Sequence, residues 1–362
     1  MDTLSTLPTP SILVDRVKLA ANIRSMQAVC DEHRVELRPH IKTHKMVAVA
    51  RQQLDAGASG LTCAKIGEAE AMLPSGARSI FIAHSLVDPG QAPRLAALSE
   101  KLTDLRVAVT SEAHLPALTR LASAVGRRLS VMMAVDSGLG REGVRDGAAA
   151  QRLAAAIAKT SQLELRGLYC HEGHHYGAPR EEQKARAGQM IDRLCAVRDS
   201  IDPSLALWPG CSVTAKLVAS LSAGRIQAVR PGAYMFGDMA LALTTAVMRL
   251  EDVAVRVLAT VVDRPEPGLA LIDAGSKTFS SDRTAQNIFA IAADGRDISV
   301  ARVNEEHGYL RGTAVDSLQV GERISFIPAH VCTVINLTDQ VTVTDGTNVV
   351  DTWQVEARGR TQ

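Results

Sequence analysis

Hydrophobic positions in the first 240 residues or so follow two alternating rhythms. Short apolar runs recur at 35–42, 60–64, 79–84, 105–110, 130–135, 163–171, 205–209 and 226–231. Between them lie Ala- and Leu-rich segments whose apolar residues fall three or four apart, the spacing of one helix face. The first, 17–30, carries Leu19, Ile23 and Met26 at that spacing; others cover 67–73, 92–101, 112–124, 148–159, 181–200 and 213–221. Eight strand-like runs with helical connectors predict an α/β fold built as a parallel (β/α)8 barrel of the TIM type. A doubly wound sheet shares this alternation. From about residue 249 the helical spacing disappears, and Val, Thr and Ile dominate short runs at 253–262, 269–273, 297–303, 323–327 and 340–344. In the last of these, Val341 and Val343 alternate with Thr342 and Thr344, and Asp345-Gly346 marks a turn before Val349-Val350. The pattern predicts a barrel over 16–245 and a C-terminal β-domain over 246–362. The strand-like segment 11–15 can pair with either part and is counted, as 9–15, with the β-domain.

A length of 362 residues is consistent with two domains. Lys and Arg number 40 against 39 Asp and Glu, and this near-neutrality excludes the concentrated positive field of a nucleic-acid or polybasic membrane binder. Hydrophobic residues at 46% exclude wholesale disorder, while aromatics at 3% require a core of Ala, Val, Leu and Ile. The six cysteines, at 30, 63, 170, 195, 211 and 332, are scattered and do not read as a disulfide framework. No signal-peptide pattern or apolar membrane-length stretch occurs, so a cytoplasmic protein is expected.

The chemically unusual residues fall where the strand-like runs end, and in a parallel barrel those ends carry function. The first run feeds Arg38-Pro39-His40-Ile41-Lys42-Thr43-His44-Lys45. His40 and Lys42 would share one side of an extended strand, and a desolvated Lys there can act as a Schiff-base nucleophile. A solvated basic turn is the plainer reading. After 130–135 comes Asp136-Ser137-Gly138-Leu139-Gly140-Arg141-Glu142-Gly143, a tight glycine loop in which Arg141 can donate to a phenolate or carboxylate. After 163–170 comes His171-Glu172-Gly173-His174-His175-Tyr176, whose histidines suit metal ligation, acid–base work or a cofactor wall.

Pro209-Gly210-Cys211-Ser212-Val213-Thr214 joins a strand to a helix and reads as a phosphate cradle or as a simple N-cap by Ser212 or Thr214. At the last barrel strand, 229–238 brings Arg230 and Tyr234 towards the same mouth. In the β-domain, Pro328-Ala329-His330-Val331-Cys332 would place His330 and Cys332 on one face of a strand. That pair is half of a site for zinc or a similar divalent ion, to be completed by water, substrate or His307. A buried Cys beside an unrelated His is the alternative.

Together these segments resemble the fold-type III PLP enzymes, the alanine racemase-like group. Within it the chain more closely resembles the D-threonine aldolase and D-serine dehydratase family. The resemblance runs from Thr9-Pro10-Ser11 to Ala357-Arg358-Gly359. It is most specific at 38–45, at Asp273-Ala274-Gly275-Ser276-Lys277, at Glu305-Glu306-His307-Gly308 and at 328–332.

The resemblance implies a PLP-binding barrel, a C-terminal β-domain and a homodimer. It makes Lys42 the lysine that holds pyridoxal 5'-phosphate and Arg141 the contact to the phenolic oxygen. Gly210, Cys211 and Ser212 become the phosphate loop, and Tyr234 the segment that closes over it. Arg230 resembles the racemase arginine facing the pyridine nitrogen, and His40 and His171 complete the cofactor wall. His330 and Cys332 match the ligands of a divalent metal ion (Zn, Mn or Mg). The implied substrate is a small D-3-hydroxy-α-amino acid, with no nucleic-acid or membrane partner.

With PLP as electron sink, such a lyase is an aldolase if Cα–Cβ breaks and a D-serine or D-3-hydroxyaspartate dehydratase if the hydroxyl leaves. His175, with Tyr176 beside it, matches a histidine that aldolases place near the substrate hydroxyl. Cys332 in His-X-Cys resembles the dehydratase pair. The aldolase, an aldehyde-lyase, is the first expectation. Two rivals differ in class. A two-base racemase needs a C-terminal-domain tyrosine, and Tyr309 does not match that motif. A non-catalytic PLP carrier has no β-domain.

Overall fold

The computed structural model describes residues 4–177 and 180–362. Its strands, in chain order, are β1 (Ser11–Asp15), β2 (Glu36–Leu37), β3 (Leu61–Cys63), β4 (Ser79–Ser85), β5 (Asp104–Val109), β6 (Leu129–Ala134), β7 (Leu163–Tyr169), β8 (Ala206–Trp208) and β9 (Ala228–Val229). They continue as β10 (Val255–Glu266), β11 (Leu269–Ile272), β12 (Ala290–Ala292), β13 (Ser299–Val303), β14 (Gly308–Arg311), β15 (Arg323–Pro328), β16 (Gln340–Asp345) and β17 (Asn348–Gln354).

The chain divides into two compact units. The α/β unit holds Arg24–Lys42, Val47–Gly232 and Arg360–Gln362. The β unit holds the described residues up to Ile23, Thr43–Met46 and Ala233–Gly359.

In the α/β unit, β3 to β8 form an all-parallel sheet in sequence order, and β2 pairs in parallel with β9. Backbone bonds from Ser59 to Leu37 and from Thr62 to Pro39 tie β3 to the β2 segment, and one from Gln227 to Leu207 ties β9 to β8. These strands read as continuous apolar runs because both faces are covered, as in Ile80, Phe81 and Ile82, all fully buried. The helices between them are built by ordinary caps. Asp146, for example, accepts the Ala149 N–H at 2.7 Å to start Gly147–Ala158, and Gly126 ends Leu115–Val125 in the left-handed region. Scarce aromatics concentrate in the core, where Phe81 meets Tyr169 and Trp208 edge-on with centroids 5.0 and 5.7 Å apart. The guanidinium groups of Arg38 and Arg106 lie 4.3 and 4.5 Å from the Trp208 ring centroid.

In the β unit, β10-β11-β14-β13-β12-β15 closes on itself as a six-stranded antiparallel barrel. Closure removes the edges that an open sheet would expose. β1 pairs antiparallel with β10 and parallel with β16, so the segment at 11–15 lies with the β-rich part. β16 and β17 form the hairpin announced by Asp345-Gly346. Two strands, β12 and β14, arise where no run had been singled out. Each is only three or four residues long, and its place is set by its neighbours. No helix among the described residues is long and apolar enough to cross a membrane.

Candidate active site

The basic cluster after β2 is not a solvated turn. Arg38, Thr43, His44 and Lys45 are all buried, and Lys42 is half-buried. Its first part is held on both sides by backbone bonds: His40 N–H to Pro231, and Ile41 N–H to Thr62. The Lys42 N–H points at His40 Nδ1, 3.4 Å away. Burial pushes the His40 imidazole well below its ordinary pKa, and Lys42, Arg230, His171 and Arg141 add to the effect in that order. His171 is pushed down to about 3 by burial, then by Lys42, Arg141 and Arg230. These five side chains therefore share one electrostatic field, in which both imidazoles are neutral at pH 7.

Arg230 belongs to this field. It is buried, and it donates from Nε to the Trp208 carbonyl at 3.0 Å and from Nη2 to the Cys170 carbonyl at 2.5 Å. Its guanidinium sits 5.0 Å from the Tyr169 ring centroid. The Tyr169 hydroxyl is buried with no hydrogen-bond partner, and Tyr169 lines a cavity with Asp136, Arg141, Glu142 and His171. An orphaned hydroxyl at a cavity wall is a group awaiting a polar ligand. Sequence reasoning passed over Tyr169, the last residue of β7, because an apolar strand gives no sign that its final side chain lines a cavity.

The turn after β8 departs from the N-cap reading of its sequence. Thr214 precedes the helix Ala215–Leu221 without capping it, so the N-cap reading fails. Its hydroxyl instead donates to Glu172 Oε1, which also accepts the N–H groups of Gly210 at 2.8 Å and Cys211 at 3.0 Å. Ser212 Oγ accepts the Gly232 N–H at 3.1 Å. Burial, then Glu172, pushes the Cys211 thiol up to about 12 and keeps it protonated. Glu172 is fully buried, and only the fold shows that it reaches this turn.

The glycine loop is shaped by Asp136. Its Oδ1 accepts the N–H groups of Gly138 at 3.0 Å and Gly140 at 3.1 Å. Burial favours the protonated carboxyl, yet these N–H groups and Arg145 hold it below its ordinary pKa. Arg141 is half-exposed, with Nη2 3.3 Å from Glu142.

In the short helix Gly173–Gly177, His174 and His175 lie edge to face with ring centroids 4.5 Å apart, and both Nδ1 atoms are buried without partners. His175 is lowered by burial, then by His174, with Arg186 contributing, while Glu172 opposes. It is His171 that feels the Lys42 charge. Tyr176 is half-buried beside them.

In the β unit, Tyr234 is buried and Asp238 is fully buried. His330 Nδ1 lies 2.8 Å from Asp238 Oδ2, which also accepts the Val331 N–H at 3.1 Å. The expected strand ends at Pro328. His330 is the residue before a helix, and Cys332 lies in that helix, Val331–Asn336. The helical turn, not strand alternation, brings the two side chains together. The Cys332 thiolate lifts His330 to about 11, the Asp238 bond adds to this, and burial opposes it. Thr43 Oγ1 lies 3.0 Å from Cys332 Sγ. Among the described residues no three His, Cys, Asp or Glu side chains converge as a metal cluster.

His307 is exposed, and Tyr309 donates to Asn304 at 2.8 Å on an exposed surface. The motifs at 273–277 and 305–308 meet through bonds from Ser276 N–H to Asn304 and Lys277 N–H to Glu305. A Cβ on Gly275 would lie 2.3 Å from the Asn304 oxygen.

Residues 14–240 match the model of the alanine racemase N-terminal domain. The chain belongs to that family. A second model, for a serine dehydratase domain, matches residues 254–344. Among curated relatives, a D-threonine aldolase from Arthrobacter sp. is 29% identical, over 99% of this chain and 94% of its own. A D-threo-3-hydroxyaspartate dehydratase from Delftia sp. is 32% identical, over 91% and 92%. The crystal structure of D-threonine aldolase from Filomicrobium marinum superposes with a TM-score of 0.90 at 28% identity, covering 99% of this chain and 97% of the other. These family members span both units, so the alanine racemase-like fold extends over the whole chain.

Proposed function

We propose that the chain is a PLP- and divalent-metal-dependent lyase for D-3-hydroxy-α-amino acids, cleaving Cα–Cβ to give glycine and an aldehyde. The observation that carries this reading is the pair His330 and Cys332, with the His330 Nδ1 held by Asp238. A racemase has no use for such a pair. The relatives named above include an aldolase and a dehydratase of hydroxylated D-amino acids.

The residues fit both groups. For PLP, Lys42 lies in a common field with two neutral imidazoles and Arg230, and the buried Tyr169 hydroxyl lacks a partner. Ser212, its Oγ fixed by the Gly232 N–H, suits the phosphate. Arg141 suits the phenolic oxygen, and Tyr234 the phosphate side. For the metal, an imidazole nitrogen and a thiolate are borderline-soft donors that suit zinc, and a proton held between them is what a cation displaces.

When bound, PLP supplies an electron sink for the electrons of the broken bond. The metal would polarise the substrate's 3-hydroxyl. The protein residues hold and move protons. Lys42 holds the cofactor, and Arg230 keeps a fixed positive charge on the side of the Trp208 and Cys170 carbonyls. His175, lowered by burial and with its Nδ1 unpartnered, is our acceptor for the hydroxyl proton, and Tyr176 adjoins it.

Cys332 in His-X-Cys, which resembles the dehydratase pair, supports the second reading, β-elimination by a D-serine or D-3-hydroxyaspartate dehydratase. Product analysis with D-threonine decides. Acetaldehyde plus glycine supports the aldolase, and 2-oxobutanoate plus ammonia replaces it with the dehydratase. We further read β2 to β9 as one closed (β/α)8 barrel spanning 16–245. The remainder, 246–362 with strand 9–15, is the metal-carrying β-domain of a cytoplasmic homodimer.

A further inference from the structure

We propose that Glu172 is a positioning residue that decides which atoms of the 209–214 turn meet a phosphate; this rests on the reading that PLP is received there. Two successive backbone N–H groups, of Gly210 and Cys211, converge on one point, the arrangement that binds an anion. In this chain the anion is internal. Glu172 Oε1 accepts both, at 2.8 and 3.0 Å, together with the Thr214 hydroxyl. The Cys170 thiol lies 3.7 Å from the other carboxylate oxygen.

A carboxylate with no exposed surface is costly unless its oxygens are hydrogen-bonded. Here three donors converge on one oxygen, and the charge also acts on buried Arg230. The Gly210 and Cys211 N–H groups are thereby removed from phosphate binding. Contact passes to the next residue, Ser212, whose Oγ is fixed by the Gly232 N–H at 3.1 Å. Without Glu172 the two N–H groups lose their anion, and the turn through Gly210, held at φ +96°, loses the contact that sets its shape.

The test compares PLP with pyridoxal, which lacks the phosphate, on the full-length chain freed of cofactor and titrated by absorbance. A merely structural role for Glu172 would weaken both ligands alike. The expected result for Glu172→Ala is a loss of about tenfold or more in PLP affinity, with pyridoxal changed much less. Glu172→Gln, which keeps the acceptor oxygen, retains most of the preference for PLP. Thr214→Val removes one of the three donors and gives a smaller selective loss. It serves as the primary variant if Glu172→Ala does not fold. Equal losses for both ligands, or an unchanged preference in the Ala and Val variants, overturn the proposal. If the unsubstituted chain binds PLP no better than pyridoxal, the phosphate reading falls and this inference with it. A strong wild-type preference that survives in the variants overturns only the role of Glu172.

Discussion

Asp238 and His330 form a buried carboxylate–imidazole pair, Oδ2 to Nδ1 at 2.8 Å, and the second carboxylate oxygen of Asp238 accepts the Leu241 N–H at 2.9 Å. The carboxylate is thus oriented by backbone donors before it meets the imidazole. It leaves Nε2 as the nitrogen available to a ligand. Asp238→Asn puts a competing amide donor opposite Nδ1. It should weaken divalent-metal affinity about 10–100-fold, as loss of an outer-shell partner does. Competition titration with a chromophoric chelator measures this, and unchanged affinity would refute the orienting role.

Lys42→Ala should abolish the visible absorbance of lysine-bound PLP. The half-buried amine is the strongest charge acting on both His40 and His171. A variant that keeps the band sinks the assignment.

Removing the metal should separate the two halves of the chemistry. Dialysis against a chelator is expected to stop turnover while PLP remains bound, because the donors His330 and Cys332 are distinct from the lysine and the 209–214 turn. Full activity in chelator would remove the metal from the mechanism.

His171 makes stability fall with acid. Its folded-state pKa is depressed to about 3, and the unfolded chain takes up a proton near 6.5. Between those values the unfolded state binds more protons, so stability is complete above about pH 6.5 and declines as pH falls towards 3. The slope from one such group is at most about 1.4 kcal/mol per pH unit. Urea unfolding at several pH values should give a shallower decline in His171→Asn. A parallel decline would show that the imidazole is not held neutral.

Gly210→Ala should destabilise the chain by about 1–3 kcal/mol, measured by denaturant unfolding. Gly210 lies at φ +96°, and an added Cβ would stand 2.7 Å from the Val229 side chain. The turn therefore tolerates neither the conformation nor the volume of another residue. A neutral result would mean that the turn re-forms without cost.

The two rhythms of the sequence were legible because their cause is local. A strand covered on both sides is apolar throughout, and Ile80, Phe81 and Ile82 carry that signal without reference to the rest of the fold. The chemically distinctive motifs were legible for the same reason, since each lies in a few consecutive residues just beyond a strand. Strand β14 was not legible, because four residues at 308–311 become a strand only when β11 and β13 flank them. The partners of the motif residues were hidden too. Asp238 stands 92 residues from His330, and Glu172 stands 38 from Gly210.

By itself the sequence determined the alternation of elements, the change of texture near 249, and the residues able to carry Schiff-base and metal chemistry. Composition and spacing act through local backbone geometry and burial, so no distant contact is needed to read them. Tertiary structure alone decided that the 38–45 cluster is buried rather than solvated. It placed His330 and Cys332 at a helix start and Glu172 on the N–H groups once expected to hold phosphate. Each of these depends on where a remote segment lies in space, because burial and hydrogen-bond satisfaction are properties of the packed chain and not of any stretch of it.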